Sequence, residues 1–387
     1  MSLNDFLEQK PLYYSEIDYT RMPRAYASIK EKLVIPKVIH IVGTNGKGTT
    51  GRFIANALHA LGKSTGHYTS PHIDEFNERI WLNGKNADTQ LLESAHNRLQ
   101  ELLSDEFKNT LSYFEYTTLL AMIVYERCDY VVLEAGLGGE HDATNVFEKV
   151  LSVITPIGID HIDFLGDTIE EIATTKMRSV TSKAVLARQN FMEVLGVAKA
   201  LEKERDVKFT DYRNCLSERE FRLADEISEQ TELPHYLKEN LFVAMAALVE
   251  LSYTVKKDLF DSQRLAGRME KVDKNIWIDV GHNSLAAEAI AGCFARKSVV
   301  LVYNSYKDKD YLSILALLEP IVKRVEIITV DDIRIASKED LYSAICKNGL
   351  EYSDFIRIKE DEDYLVFGSF SVAQAFKTLC QEKGDLF

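Results

Sequence analysis

The chain has 387 residues, of which 46% are hydrophobic and 27% charged, with a formal net charge of -14. That length suits two domains of unequal size, each with material for its own core. The acidic balance excludes a nucleic-acid backbone as the main partner, while leaving room for a local basic pocket that takes nucleotide phosphates.

The five cysteines, at positions 128, 215, 293, 346 and 380, form no C-x-x-C pair. An odd number at wide spacing predicts neither a disulfide framework nor a zinc site. The opening Met-Ser-Leu-Asn-Asp-Phe-Leu-Glu lacks a basic patch followed by an apolar run, so no secretory leader is expected. No apolar run approaches the roughly 18 residues of a membrane helix. A cytoplasmic protein with no membrane partner is the expectation.

In chain order, Lys37–Val42 predicts a buried strand, followed by a Gly-rich turn and a helix from Thr49 to Leu61. Helical periodicity returns over Ala87–Leu103 and Phe114–Arg127. The continuous apolar runs Tyr130–Ala135 and Leu151–Ile157 predict fully buried parallel strands. Asp167 is the expected cap of a helix running to Val180, with Glu170 three residues on completing a capping box. A strand over Ala184–Arg188 and a helix over Met192–Arg205 follow. Residues 206–233 are polar, charged and weakly periodic, and suit either a short β-region or an irregular excursion.

A long helix is expected over Tyr236–Tyr253, and the alternation then restarts. Strands are predicted over Asn275–Val280, Ser298–Asn304 and Arg324–Val330, and near Phe355–Ile358 and Tyr364–Gly368. Helices are predicted over Leu285–Ala295, Tyr311–Leu318, Lys338–Lys347 and Val372–Lys383. Strands alternating with helices imply βαβ units, hence an α/β fold with mostly parallel sheets. The boundary is expected within residues 255–270, dividing the chain into 1–258 and 259–387.

Gly43-Thr-Asn-Gly-Lys-Gly-Thr-Thr50 lies between a predicted strand and a predicted helix, the context a phosphate loop requires. Gly43, Thr44, Asn45, Gly46, Gly48, Thr49 and Thr50 would wrap phosphates with backbone N–H groups, and Lys47 would reach the β/γ-phosphates of ATP. The loop is shorter than the strict Walker pattern, and its hydroxyl arrives one residue late, at Thr49. In this form it resembles the loop of the Mur ligase superfamily, whose members are ATP-dependent amide synthetases.

Further motifs narrow the resemblance. Thr69-Ser-Pro-His-Ile-Asp-Glu-Phe-Asn-Glu-Arg79 is similar to the T-S-P-H-L-x-x-F-x-E-R-I segment of folate ligases. Leu133-Glu-Ala-Gly-Leu-Gly-Gly-Glu-His-Asp-Ala-Thr-Asn145 resembles their E-x-G-L-G-G-R-L-D-A-T-N, except that Glu140-His141 replaces Arg-Leu. Thr155–Thr168 resembles I-T-x-I-G-x-D-H-x-x-x-L-G-x-T, and Ile172–Met177 resembles I-A-x-E-K-A with Thr175 for the Glu. The chain is thereby identified as a member of the folylpolyglutamate synthase/dihydrofolate synthase family.

That resemblance implies an N-terminal Mur-ligase-type ATPase domain and a smaller C-terminal Rossmann-like domain. It implies an acyl-phosphate route joining L-glutamate to dihydropteroate or a reduced folate, by a monomer. Two magnesium sites are implied: one on Ser70, Glu134 and His161, the other on Lys176 if that lysine is carbamylated. Lys47, His161 and Lys176 are the implied catalytic residues. Asn240 maps to the adenine side, while Arg268, Asp279 and His282 map to ATP contacts of the second domain. Phe114 and Asp142 map to the pterin side. Asp18–Met22 faintly resembles the family's folate-side loop. The H-Q-x-x-N-A segment is represented by Tyr236-Leu-Lys-Glu-Asn-Leu241. Another Mur-type amide ligase, or a homologue that binds ATP without catalysis, is the alternative.

Overall fold

The computed structural model describes residues 1–11, 18–260, 265–295 and 297–382. Two compact units emerge, one from Met1–Leu233 with Leu237–Gln263 and the other from Pro234–Tyr236 with Arg264–Phe387. Residues 261–264 of the expected boundary zone, and Lys383 at the expected end of the last helix, lie outside the described residues.

The first unit is built on an eight-stranded sheet among the described residues. Its strands are β1 (Lys37–Val42), β2 (Thr65–Tyr68), β3 (Ile80–Leu82), β4 (Lys85–Asn86), β5 (Tyr130–Glu134), β6 (Lys149–Ile154), β7 (Lys183–Leu186) and β8 (Lys208–Asp211). They lie in the order β4-β3-β2-β5-β1-β6-β7-β8, parallel except for the β2–β3–β4 edge. Successive side chains of β1 enter different cores: Ile39 and Ile41 one, Val38 and Val42 two others. A strand covered on both faces must be apolar throughout, which is why these runs do not alternate. Glu134 ends β5 at the sheet's carboxyl edge, where α/β folds place their ligands.

Several local expectations are corrected. Residues 206–233 are mostly helical after the short strand β8, with a main helix at Glu218–Gln230. Ser217 and Glu220 form its capping box, and Ala224 and Ile227 enter the core with the partly buried Phe221 and Leu223 packed against it. The helix expected from Asp167 starts one residue later: Thr168 caps Ile169–Met177 with Glu171 as the reciprocal partner. The β2–β4 edge and the N-terminal helices Leu3–Glu8 and Arg21–Ile29 lie outside the predicted elements.

The second unit holds a six-stranded sheet among the described residues. Its strands are β9 (Glu270–Asp273), β10 (Ile276–Asp279), β11 (Val299–Tyr303), β12 (Val322–Ile327), β13 (Tyr352–Asp354) and β14 (Tyr364–Phe367). The order is β13-β12-β11-β14-β10-β9, parallel except for β9 against β10. The strand expected at Phe355–Ile358 is instead β13, an exposed edge strand. Polar Glu270–Asp273 makes β9, which hydrophobicity does not reveal. Among the described residues no helix is long and apolar enough to cross a membrane.

Two ion pairs make the packing testable. Arg21 Nε donates to Glu115 Oε2 at 2.8 Å with both residues buried, pinning Arg21–Ile29 to the helix Tyr113–Val124. Breaking one side of such a pair strands a buried charge, so Glu115→Ala should destabilise the protein by about 3 kcal/mol in urea unfolding. In the second unit Arg324 grips Glu362 at 2.6 and 2.7 Å. The guanidinium holds the Glu362 carboxyl down to about 2. A depressed folded-state value adds stability that is complete above the unfolded pKa, near 4.5, and is lost as pH falls toward about 2. Glu362→Gln should therefore flatten the fall in thermal midpoint across that acid window and leave a lower midpoint at neutral pH.

Candidate active site

β1 ends at Val42 and a helix runs over Lys47–Ala60, beginning two residues before the predicted start. The turn between them is stitched to the segment that follows β6. Thr44 N and Asn45 N donate to the Pro156 carbonyl at 2.8 and 3.2 Å. Thr44 Oγ1 donates to Gly158 O and accepts from Gly158 N, both at 3.0 Å. Gly46 has φ 84, and a Cβ there would lie 2.5 Å from Asn240 Oδ1. Glycine thus provides the left-handed turn and lets Asn240, on the helix His235–Glu250, close against the loop.

Lys47 folds back over this turn, its Nζ 3.3 Å from Gly43 O, 3.2 Å from Thr44 O and 3.8 Å from Glu134 Oε1. The Thr49 and Thr50 hydroxyls are buried without a hydrogen-bond partner. Unsatisfied donors at a helix N-terminus, with a lysine beside them, form an anion site by geometry and dipole together.

Glu134 is buried and accepts from the Thr69 hydroxyl and, at 3.4 Å, from Ser70 N. The pairing of β2 with β5 brings this Thr69–Ser70 turn beside the carboxylate. Thr69 was missed in the sequence, because its partner lies 65 residues away. His161 sits in the loop after β6 at φ 54, its ring 3.9 Å from Asp160 Oδ2. Among the described residues no three His, Cys, Asp or Glu side chains gather into a metal-holding group. The Glu134 carboxylate beside the Thr69–Ser70 turn is an oxygen donor of the kind that suits a hard divalent cation keeping several of its waters.

Lys176 is 4% exposed, and its Nζ donates to Gly43 O at 3.1 Å, so it lies beneath the phosphate loop. Burial, reinforced by Lys47, pulls its amine down to about 7, against the opposing pull of Asp160 and Asp142. Gly139 permits the approach, since a Cβ there would meet the Lys176 carbonyl at 2.4 Å.

On the expected pterin side, Phe114 packs on the Gly136 backbone, where a Cβ would meet its Cζ at 2.7 Å. The Asp142 carboxylate is occupied by its own turn. Oδ2 accepts from Gly136 N and Leu137 N at 2.9 and 3.0 Å, and Oδ1 accepts from Thr144 N at 2.9 Å and the Thr144 hydroxyl. Burial pushes this carboxyl up, and those four donors oppose it. The departing residues have partners of their own: the His141 ring lies 4.3 Å from that of Tyr19, and Glu140 pairs with Arg178 at 3.9 Å.

In the second unit, Arg268, Asp279 and His282 gather at the carboxyl end of β10. Asp279 Oδ2 accepts from Tyr236 Oη at 2.6 Å and Met269 N at 3.0 Å, while Oδ1 accepts from Gly281 N at 2.8 Å. The Arg268 guanidinium lies 5.2 Å over the Phe370 ring, and His282 Nδ1 is 3.1 Å from the Val280 carbonyl. Ser369 accepts from Val372 N at 3.1 Å, helping to start the last helix.

The Mur ligase middle domain family matches residues 41–186. A dihydrofolate synthase/folylpolyglutamate synthase of Escherichia coli is 32% identical over 362 residues, covering 87% of this chain and 84% of the relative. A crystal structure of Helicobacter pylori folylpolyglutamate synthetase is 40% identical, with 98% of each chain covered and a TM-score of 0.79. A structure of E. coli FolC in complex with DHPP and ADP is 25% identical, with 99% of this chain and 98% of that one covered and a TM-score of 0.82. With this extent of likeness, the chain belongs to the dihydrofolate synthase/folylpolyglutamate synthase family.

Proposed function

We propose that this protein is an ATP-dependent, ADP-forming ligase that adds L-glutamate both to dihydropteroate and to reduced folates. The observation that carries the proposal is the meeting of Lys47, Glu134 and buried Lys176 around one phosphate loop. In the reaction, the substrate carboxylate attacks the γ-phosphorus of ATP and ADP leaves, giving an acyl phosphate. The α-amine of glutamate then displaces inorganic phosphate and forms the amide.

Lys47 exchanges its contacts with loop carbonyls for phosphate oxygens, and the N-terminus of the helix that starts at Lys47 orients the triphosphate. Asn240 faces the adenine side of the same loop, and Phe114 offers a ring face to the pterin. Arg268, Asp279 and His282 are the nucleotide contacts of the second unit. Ser70, Glu134 and His161 would hold one magnesium ion and Lys176, once carbamylated, a second, and the ions would supply neutralising charge for phosphoryl transfer. A lysine titrating near 7 keeps a neutral fraction at physiological pH, and only the neutral amine adds to CO₂. The same reading makes the protein a cytoplasmic monomer.

Purified protein with magnesium and ATP should release ADP only when dihydropteroate and glutamate are both present, and again when tetrahydrofolate replaces dihydropteroate. ADP release without either substrate, or none under any condition, would overturn the ligase reading. Lys47→Ala should lower kcat/KM by roughly 100-fold or more with little change in thermal midpoint, as expected for a side chain that meets developing charge.

A further inference from the structure

We propose that Tyr236 is a positioning residue: its hydroxyl fixes the Asp279 carboxylate so that one acceptor position, on Oδ1, is left for a hydroxyl of the nucleotide sugar. The inference rests on the nucleotide role given to Asp279 above. It concerns a residue at which this chain departs from the related motif, with Tyr in place of His.

A carboxylate offers about four acceptor positions. On Asp279, Tyr236 Oη and Met269 N fill Oδ2, while Gly281 N takes one position on Oδ1. Among the described residues no other donor reaches either oxygen. The two backbone donors are held by the fold. Met269 follows Gly267 through a turn with φ values of 66 and 44. Gly267 N donates to Glu270 Oε2 at 2.7 Å, Val280 N donates to Gly267 O at 3.0 Å, and Lys377 holds Glu270 at 3.1 Å. Tyr236 is therefore the one side-chain donor in the set, and its ring packs with Met269, Trp277 and Cys293 against the second unit's core. Burial and the adjacent Asp279 charge push its phenol well above the usual tyrosine value, so it remains a donor throughout the working pH range. At 2.6 Å to a carboxylate this is a charge-assisted hydrogen bond, strong enough to select one rotamer.

Without the phenol, Oδ2 retains a single backbone donor and the carboxylate can turn about its last torsion. Its aim at the sugar then loosens, while the reacting phosphates are untouched. An interaction made equally in ground and transition states appears in KM and not in kcat.

The test compares wild type, Tyr236→Phe, Tyr236→His and Asp279→Asn for KM and kcat with ATP, 2′-deoxy-ATP and 3′-deoxy-ATP. Wild type is expected to disfavour one of the two analogues by about 10-fold, the order of one hydrogen bond to a charged group. Tyr236→Phe should raise the KM for ATP by about 10-fold with kcat within about 2-fold, and should lose most of that discrimination. Tyr236→His, which retains a ring donor, should recover part of it. If Tyr236→Phe leaves KM and discrimination unchanged while Asp279→Asn raises KM, the positioning role falls and the nucleotide role of Asp279 stands. If Asp279→Asn also leaves KM unchanged, or wild type treats the three nucleotides alike, both readings fall. A drop in kcat and thermal midpoint at constant KM would make Tyr236 a merely structural residue and overturn the inference.

Discussion

The lysine amine beneath the phosphate loop is the constraint on which the first unit's site depends. Lys176 donates to Gly43 O from a position almost closed to water, and Lys47 approaches the same loop from above. Two amines on one turn repel each other, and burial penalises the deeper one. The fold answers with Asp160 and Asp142 nearby, and with a Lys176 pKa brought down to about 7. What this leaves is two amines and the unpartnered Thr49 and Thr50 hydroxyls at one turn, in a protein whose net charge is -14. A polyanion entering the loop can take up the Lys47 amine in place of the loop carbonyls it now meets.

Three carboxylates stand at the ends of strands or in the turns after them, and their hydrogen bonds separate their roles. Asp142 receives four donors from its own turn, so its charge shapes the Gly136–Asn145 segment before any ligand arrives. Glu134 has a hydroxyl, a long contact to Ser70 N and Lys47 at 3.8 Å, an arrangement loose enough to be rebuilt around a cation. Asp279 is intermediate, with three donors and one position to spare. Burial is similar in all three, so exposure alone does not distinguish a binding carboxylate from a structural one.

Much of this was legible in the sequence, for a physical reason. Buried parallel strands are continuous apolar runs, and β1, β5, β6 and β11 lie within a few residues of the expected runs. The phosphate loop announces itself because glycine and lysine at that spacing serve backbone geometry and charge at once. The hidden elements stabilise themselves by other means. Glu218–Gln230 interleaves its apolar Phe221, Ala224 and Ile227 with buried Glu220 and Ser228, and β9 pairs through its backbone with polar side chains. Thr69 with Glu134 and Tyr236 with Asp279 are pairs made by topology across 65 and 43 residues, distances over which a local pattern carries no information.

The departures from the family pattern fall where this chain supplies its own partners. Glu140 turns to Arg178, His141 rests on Tyr19, and Tyr236 binds Asp279. None of these changes touches the Gly43–Thr50 turn, whose contacts come from backbone groups, Thr44, Lys47 and Lys176. Phosphate chemistry leaves a loop little freedom, because the N–H groups must converge on one anion and only certain residues permit that turn. A surface that recognises a ring or a sugar hydroxyl can be rebuilt from different side chains, provided each new polar group finds a partner. Departures of this kind therefore bear on which substrate is held and how tightly, and leave the bond that is made unchanged.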